Sequence, residues 1–518
     1  MFVAYRRDQI FKDVGTTRQL FVDDDVIAVV KNVTRTLHSP KKHPSNPLIS
    51  RDQPWEVIPI FRMNSLNVLH DPEDQLFKCY YEDYYDSFKR DQHSLFIGNR
   101  VYYAQSRDGV HWDKPGLGKH QIDGRDTNTV FSYPPYQHAS DCSIILDYTE
   151  DDPARRYKMA YYLRTENANV PKKHAFNPHS DGVCLAFSPN GTDWTPYDGN
   201  PIFESWGGDV EMLTYDPIDS KYIIYGRYGG QSGTSLHPEH DNWFAPVIPS
   251  QPEGIWGTRR RVYRTESSDC LNWSMPELLL EPGHSDNLDD AHYGFMSWRA
   301  GDLYLGFLTV LHQVKNDMDF YLLYSRDGLN WSRLADHRPF VSREPVGSYD
   351  CFGAELSNPP LEVGDELWIY YGGMQVHHDW WFVGGPQGLE AEELTDPEYA
   401  MNGHHLCLST LRKDGYVSID AGIREGYLET KPLFSAAPHL FINGRCEMNG
   451  SIRAEITDTW GNVWEGFGGP DCTPLTGDSV RHQLNWTGGP VVNRIPGSVK
   501  LRFILQNAEL YGFEFGEA

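Results

Sequence analysis

Alternation of apolar and polar residues dominates the 518-residue chain, and it recurs with the same punctuation. The runs VYYAQ (101–105), VCLAF (183–187), VYRTE (262–266) and YLLY (321–324) have the short period of strands, with no helical period. Each runs directly into a related heptad: SRDGVHW (106–112), SPNGTDW (188–194), SSDCLNW (267–273) and SRDGLNW (325–331). A weaker fifth copy, STLRKDGYVS, starts at Ser409 after HLCL. Asp or Asn beside Gly supplies a tight turn with positive φ, and Trp re-enters the next strand as a large apolar anchor. The first serines of the copies lie 82, 79, 58 and 84 residues apart, one supersecondary unit plus loops of variable length.

Two more strand-like segments precede each heptad strand. They read SLNVLHDPEDQLFKCYYED (65–83), SIILDYTEDDPARRYKMAYYL (143–163), VEMLTYDPIDSKYIIYGRY (210–228), GFMSWRAGDLYLGFLTV (294–310) and PLEVGDELWIYYGG (360–373). Four antiparallel strands per unit, five times over, predict an all-β fold with a five-bladed β-propeller across residues 50–422. A blade cannot bury both faces alone, so its neighbours must stack and close into a ring around a channel. After Gly422 the heptad stops, and residues 423–518 alternate strands with Gly, Asn and Asp turns, the pattern of a separate C-terminal β-sandwich. Residues 1–49 read as a strand and an arm that lies across the ring or completes the sandwich. Only AEELTDPEYAM (391–401) has a helical pattern.

Charge and composition then narrow the partners. A net charge of −26 disfavours nucleic acid and anionic membranes. No apolar run approaches the roughly 18 residues of a membrane span, so a soluble protein is expected. The opening MFVAYRRDQIFKDVG has no apolar core or small-residue cleavage site, which points to the cytoplasm, with a trimmed secreted form as the alternative. Eight scattered cysteines argue against a zinc knuckle or a disulfide framework. The histidines, 21 in number, lack HExxH-type spacing. No metal or other cofactor is therefore expected to be required, and a Ca²⁺ held by channel carboxylates and histidine stays open. The chain also lacks a nucleophile elbow, a P-loop and a dinucleotide fingerprint.

Acids stand at the head of most innermost strands. The second unit opens HASDCSIILD with Asp141; the third opens WGGDVEMLTYD with Asp209 and Glu211; the fourth opens NLDDAHYGFMSW with Asp290 and His292; the fifth opens GSYDCFGAELSN with Asp350 and Glu355. Strand side chains alternate, so Asp209 and Glu211 share a face. Each acid alone reads equally well as a turn former or strand cap. Recurrence in four units favours a common destination in the channel, where mutual repulsion raises some pKa values and separates an acid from a base.

Blades with such turns, followed by a C-terminal β-module, resemble the five-bladed propeller glycoside hydrolases: the invertase and levanase-like enzymes of family 32 and the arabinanase and xylosidase-like enzymes of family 43. The stretch LFVDDDVIAVVKNVTRTLHSPKKHPSNPLI (20–49) is similar to bacterial proteins grouped with family 32 by fold. The resemblance implies hydrolysis or transfer of a glycosidic bond, of a furanoside such as a fructoside or arabinoside, by three channel carboxylates from the first three blades. Asp141, Asp209 and Asp290 are the leading candidates, with Glu56, Glu211 and Glu355 as contenders for acid or base. The family 32 WMNDPNG box is absent. Its positional counterpart is RMNS with Asn64, so the first-blade carboxylate is either missing or supplied by Glu56.

Sugar recognition calls for aromatic platforms with Arg, His, Asn and Asp on hydroxyls. It draws attention to Trp55, Asn64, His138, Trp206, Arg227, His292 and Asp350, with Trp243, Trp256, Trp380 and Trp381 in neighbouring loops. An oligosaccharide, polysaccharide or small glycoside is the expected partner, and the oligomeric state is open. Two rivals remain on the same scaffold: a carbohydrate-binding propeller without catalysis, and a lyase, isomerase or phosphorylase, the last needing a basic cluster for which GTRRR (257–261) is the hint.

Overall fold

The computed structural model describes residues 11–63, 65–84, 99–132, 137–165, 182–204, 210–226, 260–313, 315–356, 358–378, 401–490 and 497–517. It is an all-β chain built from successive antiparallel meanders. The first runs Leu66–Asp71, Leu76–Tyr84, Asn99–Ser106, Thr129–Ser132, and Pro59–Ile60 adds to its second strand. The second runs Gln137–Leu146, Tyr157–Thr165, Gly182–Ser188, with Thr195–Pro196 and Phe203–Glu204 on its outer edge. Glu211–Asp216, Lys221–Gly226, Val262–Ser267 and Glu277–Leu280 form the third. Asp290–Ala300, Leu303–His312, Asp317–Ser325 and Ser332–Arg333 form the fourth. In the fifth, Gly353–Leu356, Glu366–Met374 and His404–Arg412 are completed by Lys41–Lys42 from the N-terminal arm.

The innermost strands are tied in sequence by buried polar contacts. Asn67 donates to the Cys142 carbonyl (2.6 Å) and accepts from the Ile144 amide (2.8 Å). The Leu213 amide donates to Ser143 (2.9 Å), and Thr214 donates to the Ser297 carbonyl (3.2 Å). The Met318 amide donates to the Phe352 carbonyl (2.9 Å), and the Val68 amide donates to Asn358 (2.6 Å), which returns the fifth meander to the first. A second set of clasps lies at the far ends of these strands. Asp71 accepts the Tyr157 hydroxyl, Asp147 that of Tyr222, and Asp216 that of Tyr304, each tyrosine belonging to the next meander.

The repeated heptads explain the docking of meander on meander. In each turn the acid or amide side chain accepts the amides two and three residues on, as Asp108 does from Val110 (2.9 Å) and His111 (2.8 Å). The leading serine accepts the amide of the turn glycine, 2.8 Å at Gly109, 2.9 Å at Gly191 and 2.9 Å at Gly328. Gly191 has φ +80°, and a Cβ there would strike the Tyr80 hydroxyl of the first meander. Gly109 sits likewise against Tyr370 and Trp368 of the fifth.

The C-terminal part is one nine-stranded sheet around the long strands His439–Thr457 and Lys500–Gly516. N-terminal residues enter it directly: Gln19–Leu20 pairs with Lys500–Gly516, Ile27–Lys31 with Gly426–Thr430, and Thr34–Leu37 with Val417–Ala421. Phe21, Leu440, Ile456 and Phe503 lie in its core. All eight cysteines are free thiols, seven of them buried. Among the described residues no helix is long and apolar enough to cross a membrane.

Candidate functional site

Residues 59–63 lie against the fourth and fifth meanders. A Cβ on Gly372 of the fifth meander would strike the Phe61 carbonyl, and one on Gly294 of the fourth would strike Met63 and, from the third, Val210. The segment therefore passes between these meanders, with Met63 only 1% exposed. Arg62, also buried, donates to the His378 carbonyl (2.8 Å).

Around this segment four carboxyl groups are buried, three on the first strands of their meanders and Glu82 on a second strand. Asp141 sits at a bulge in Gln137–Leu146, between Ser140 and Ser143, with φ +61°. Glu82 lies in Leu76–Tyr84 and accepts the Cys142 amide (2.7 Å). Full burial and then the Asp141 charge push Glu82 up to about 8, so Glu82 keeps its proton at neutral pH. Glu211 opens its strand, fully buried, and the Cys142 thiol is raised by burial and by the fields of Glu82, Asp141 and Glu211 together. Glu355, paired opposite Gly372, is pushed up to about 7 by burial, against the fields of Arg62 and Arg260. His404 is fully buried; desolvation and then Arg62 hold it well below its ordinary value, and it stays neutral.

The ring thus brings together Asp141 and Glu211 of the sequence candidates, with Glu82 added. Glu82 escaped the sequence reading because it lies in a second strand, away from the inner-strand heads where acids were sought. A signal was present: YYED places an acid beside two tyrosines that are wholly buried. Its neighbour Asp83 points the other way and serves the loop before the strand. It accepts from the amides of Ile58 (2.6 Å) and Val57 (3.1 Å) and from the Tyr102 hydroxyl (3.0 Å), and burial raises it to about 6.

Other candidates are committed to structure. Glu56 accepts from the Asp52 and Gln53 amides (3.0 Å each), from Tyr81 (2.6 Å) and from Lys114 (2.7 Å), so its lone pairs are used in bracing its own turn. Asp290 accepts from the Asn287 amide (3.0 Å) and bonds His312 (2.6 Å). His312 also reaches Asp319 (3.4 Å), which Arg343 grips with Nε (2.8 Å). Burial opposes the imidazolium, but the bonds to Asp290 and Asp319 prevail and raise His312 to about 9. Asp350 accepts from Tyr371 (3.0 Å) and pairs with Lys42 (2.6 Å) of the N-terminal arm. Trp55 donates to Asn128 (2.8 Å) and packs on the first meander's core. His292 is buried beside Arg260, its amide donating to the Arg260 carbonyl (3.0 Å). Asn64, Trp206, Asp209, Arg227, Trp243, Trp256, Trp380 and Trp381 lie outside the described residues, as does the side chain of His138.

Among the described residues one group, Asp286, Asp290 and His337, has three ligand-type atoms within reach of a single cation. Its carboxylates are already engaged, Asp290 as above and Asp286 by Arg333 (2.6 Å). A cation there would displace existing partners.

No protein-family model matches the chain, and no curated protein sequence does. Solved structures are similar to it in chain course. An N-acetylgalactosamine deacetylase from F. plautii, in complex with blood group B trisaccharide, is 13% identical, covering 74% of this chain and 96% of its own at a TM-score of 0.43. A structure from the family 130 mannoside phosphorylases, a family containing hydrolases that target β-1,2 mannosidic linkages in Candida mannan, is 15% identical over 74% and 96% (TM-score 0.43). A thermostable family 43 glycoside hydrolase is 13% identical over 71% and 95% (TM-score 0.40).

Proposed function

We propose that the meanders are the five blades of a propeller and that the protein cleaves a glycosidic bond at its channel, with Glu82 and Asp141 acting as one acid. The buried pair carries this reading. It keeps a proton at neutral pH beside a negative charge, the combination needed to protonate a leaving oxygen and to steady an oxocarbenium-like centre. Asp141, at the head of an innermost strand, is the member assigned to the substrate, and Glu82 is a positioning residue that stores the proton behind it. Glu355, titrating near neutrality and accepting a backbone hydrogen bond from Met63, is the candidate for the complementary base. The substrate class is a furanoside such as a fructoside or arabinoside, in keeping with the resemblance of the repeated turns, and no metal takes part.

The test is turnover of aryl furanosides and pyranosides, with the product anomer followed by NMR. Asp141→Asn is expected to lower kcat by about 10²–10⁴ with the melting temperature nearly unchanged; full activity in Asp141→Asn rejects the assignment. Arg62 and Arg260 beside Glu355 favour one second reading, in which phosphate replaces water as the acceptor. Turnover that requires inorganic phosphate selects it.

A further inference from the structure

A cleft of about 470 Å³ opens between the fifth meander and the C-terminal sheet. That is within the size range of small-molecule sites, which favour such junctions. It lies at the turn joining Leu361–Val363 to Glu366–Met374, where Glu366 is opposite Arg412. Glu355, opposite Gly372, and His404, opposite Met374, lie at the other end of this strand. Eight residue steps of strand separate the two ends by about 27 Å.

The chemistry of its walls selects a ligand class. Its three cations are already matched: Arg18 with Asp414 (2.8 Å) and Glu362 (3.2 Å), Lys413 with Glu362 (2.6 Å), and Arg481 with Glu514 (2.6 Å). Asp414 is 8% exposed, and burial raises its pKa, which brings the charge of the cleft closer to balance. An anionic ligand would break one of these pairs and leave a partner unmatched, and a cation has outside the pairs the exposed Asp365 of the turn, where water screens it. A neutral hydroxyl both donates and accepts, so it can bridge the guanidinium and carboxylate edges without breaking them. Half-exposed Val480, backed by the buried Leu20, Ile442 and Phe513, supplies an apolar patch for a C–H face.

We propose that this cleft is a second saccharide-binding site, remote from the channel, that takes a neutral mono- or disaccharide. The choice of saccharide over another neutral polyol rests on the channel reading above, whereas the location rests on the cleft alone.

Calorimetric titration of the full-length Asp141→Asn chain with sucrose, arabinobiose and mannobiose tests it. At least one sugar is expected to bind in an event that Val480→Trp, which fills the cleft, weakens at least 10-fold. Arg481→Ala, at a half-exposed side chain, is expected to weaken the same event and guards against misfolding of the tryptophan variant. Thermal unfolding of both variants checks that they are intact. Binding that neither variant alters, or no binding by any of the three sugars, overturns the proposal. If the native chain turns over glycosides while both variants bind normally, the cleft proposal alone fails; if the variants lose binding but no glycoside is turned over, the channel reading alone fails.

Discussion

Two titrating side chains illustrate opposite uses of burial. Glu82 is raised from an ordinary 4.5 to about 8, so the folded state holds its proton more tightly than the unfolded chain does. Stability from this group therefore falls as pH rises from about 4.5 through about 8. Glu82→Gln removes that loss: its melting temperature should gain on the native protein steadily across this window, and parallel pH–stability curves would contradict the assignment. In turnover, the proposed role predicts an alkaline limb near pH 8 for the native protein that disappears or moves in Glu82→Gln. His312 has the same sign but another cause, its bonds to Asp290 and Asp319 overcoming burial. Its pKa rises from 6.5 to about 9, so its contribution is complete below 6.5 and is lost as pH rises through 9. His312→Gln leaves buried Asp290 without its imidazolium partner, while Asp319 keeps Arg343, and should cost about 3 kcal/mol at pH 6. Urea denaturation at pH 6 and pH 10 should show the penalty shrinking at the higher pH.

The heptad turn is the element that converts a repeated sequence into a closed ring. Its serine and acid satisfy the turn's own amides, and its glycine supplies positive φ and close approach to the neighbouring meander. These two demands can be separated. Gly347 has φ +95° with open space around it, so Gly347→Ala should cost only the backbone strain, about 1–2 kcal/mol. Gly191→Ala carries comparable strain and also collides with Tyr80, so chemical denaturation should register a clearly larger loss. Equal losses would mean that the glycine serves the turn and not the docking.

At the scale of the molecule, the N-terminal arm joins both halves. Arg326 of the fourth meander grips Asp23 with Nε (3.0 Å) and Nη2 (2.6 Å), while nearby residues of the arm pair with the C-terminal sheet. Removing residues 1–37 strips strands from Lys500–Gly516, Gly426–Thr430 and Val417–Ala421 and bares hydrogen-bonding edges. The truncated chain should aggregate or melt well below the full chain, as read by gel filtration and calorimetry. A monomer with unchanged melting would show that the arm is dispensable.

Local patterns determined a good deal. Period-two runs ending in SxDGxxW turns gave the strands and their antiparallel order, because alternation and turn chemistry act within a few residues. They also flagged Asp141 and Glu211, since an acid at the head of an apolar strand departs from the pattern around it. Tertiary structure decided which acids feel one another's charge. Glu82 meets Asp141 only because the second strand of one meander lies against the bulge of the next, whereas Asp290 and Glu56 meet their own partners and become braces. A carboxyl group's pKa depends on desolvation and on charges a few ångströms away, and residues 59 positions apart in the chain become such neighbours only after the meanders have packed.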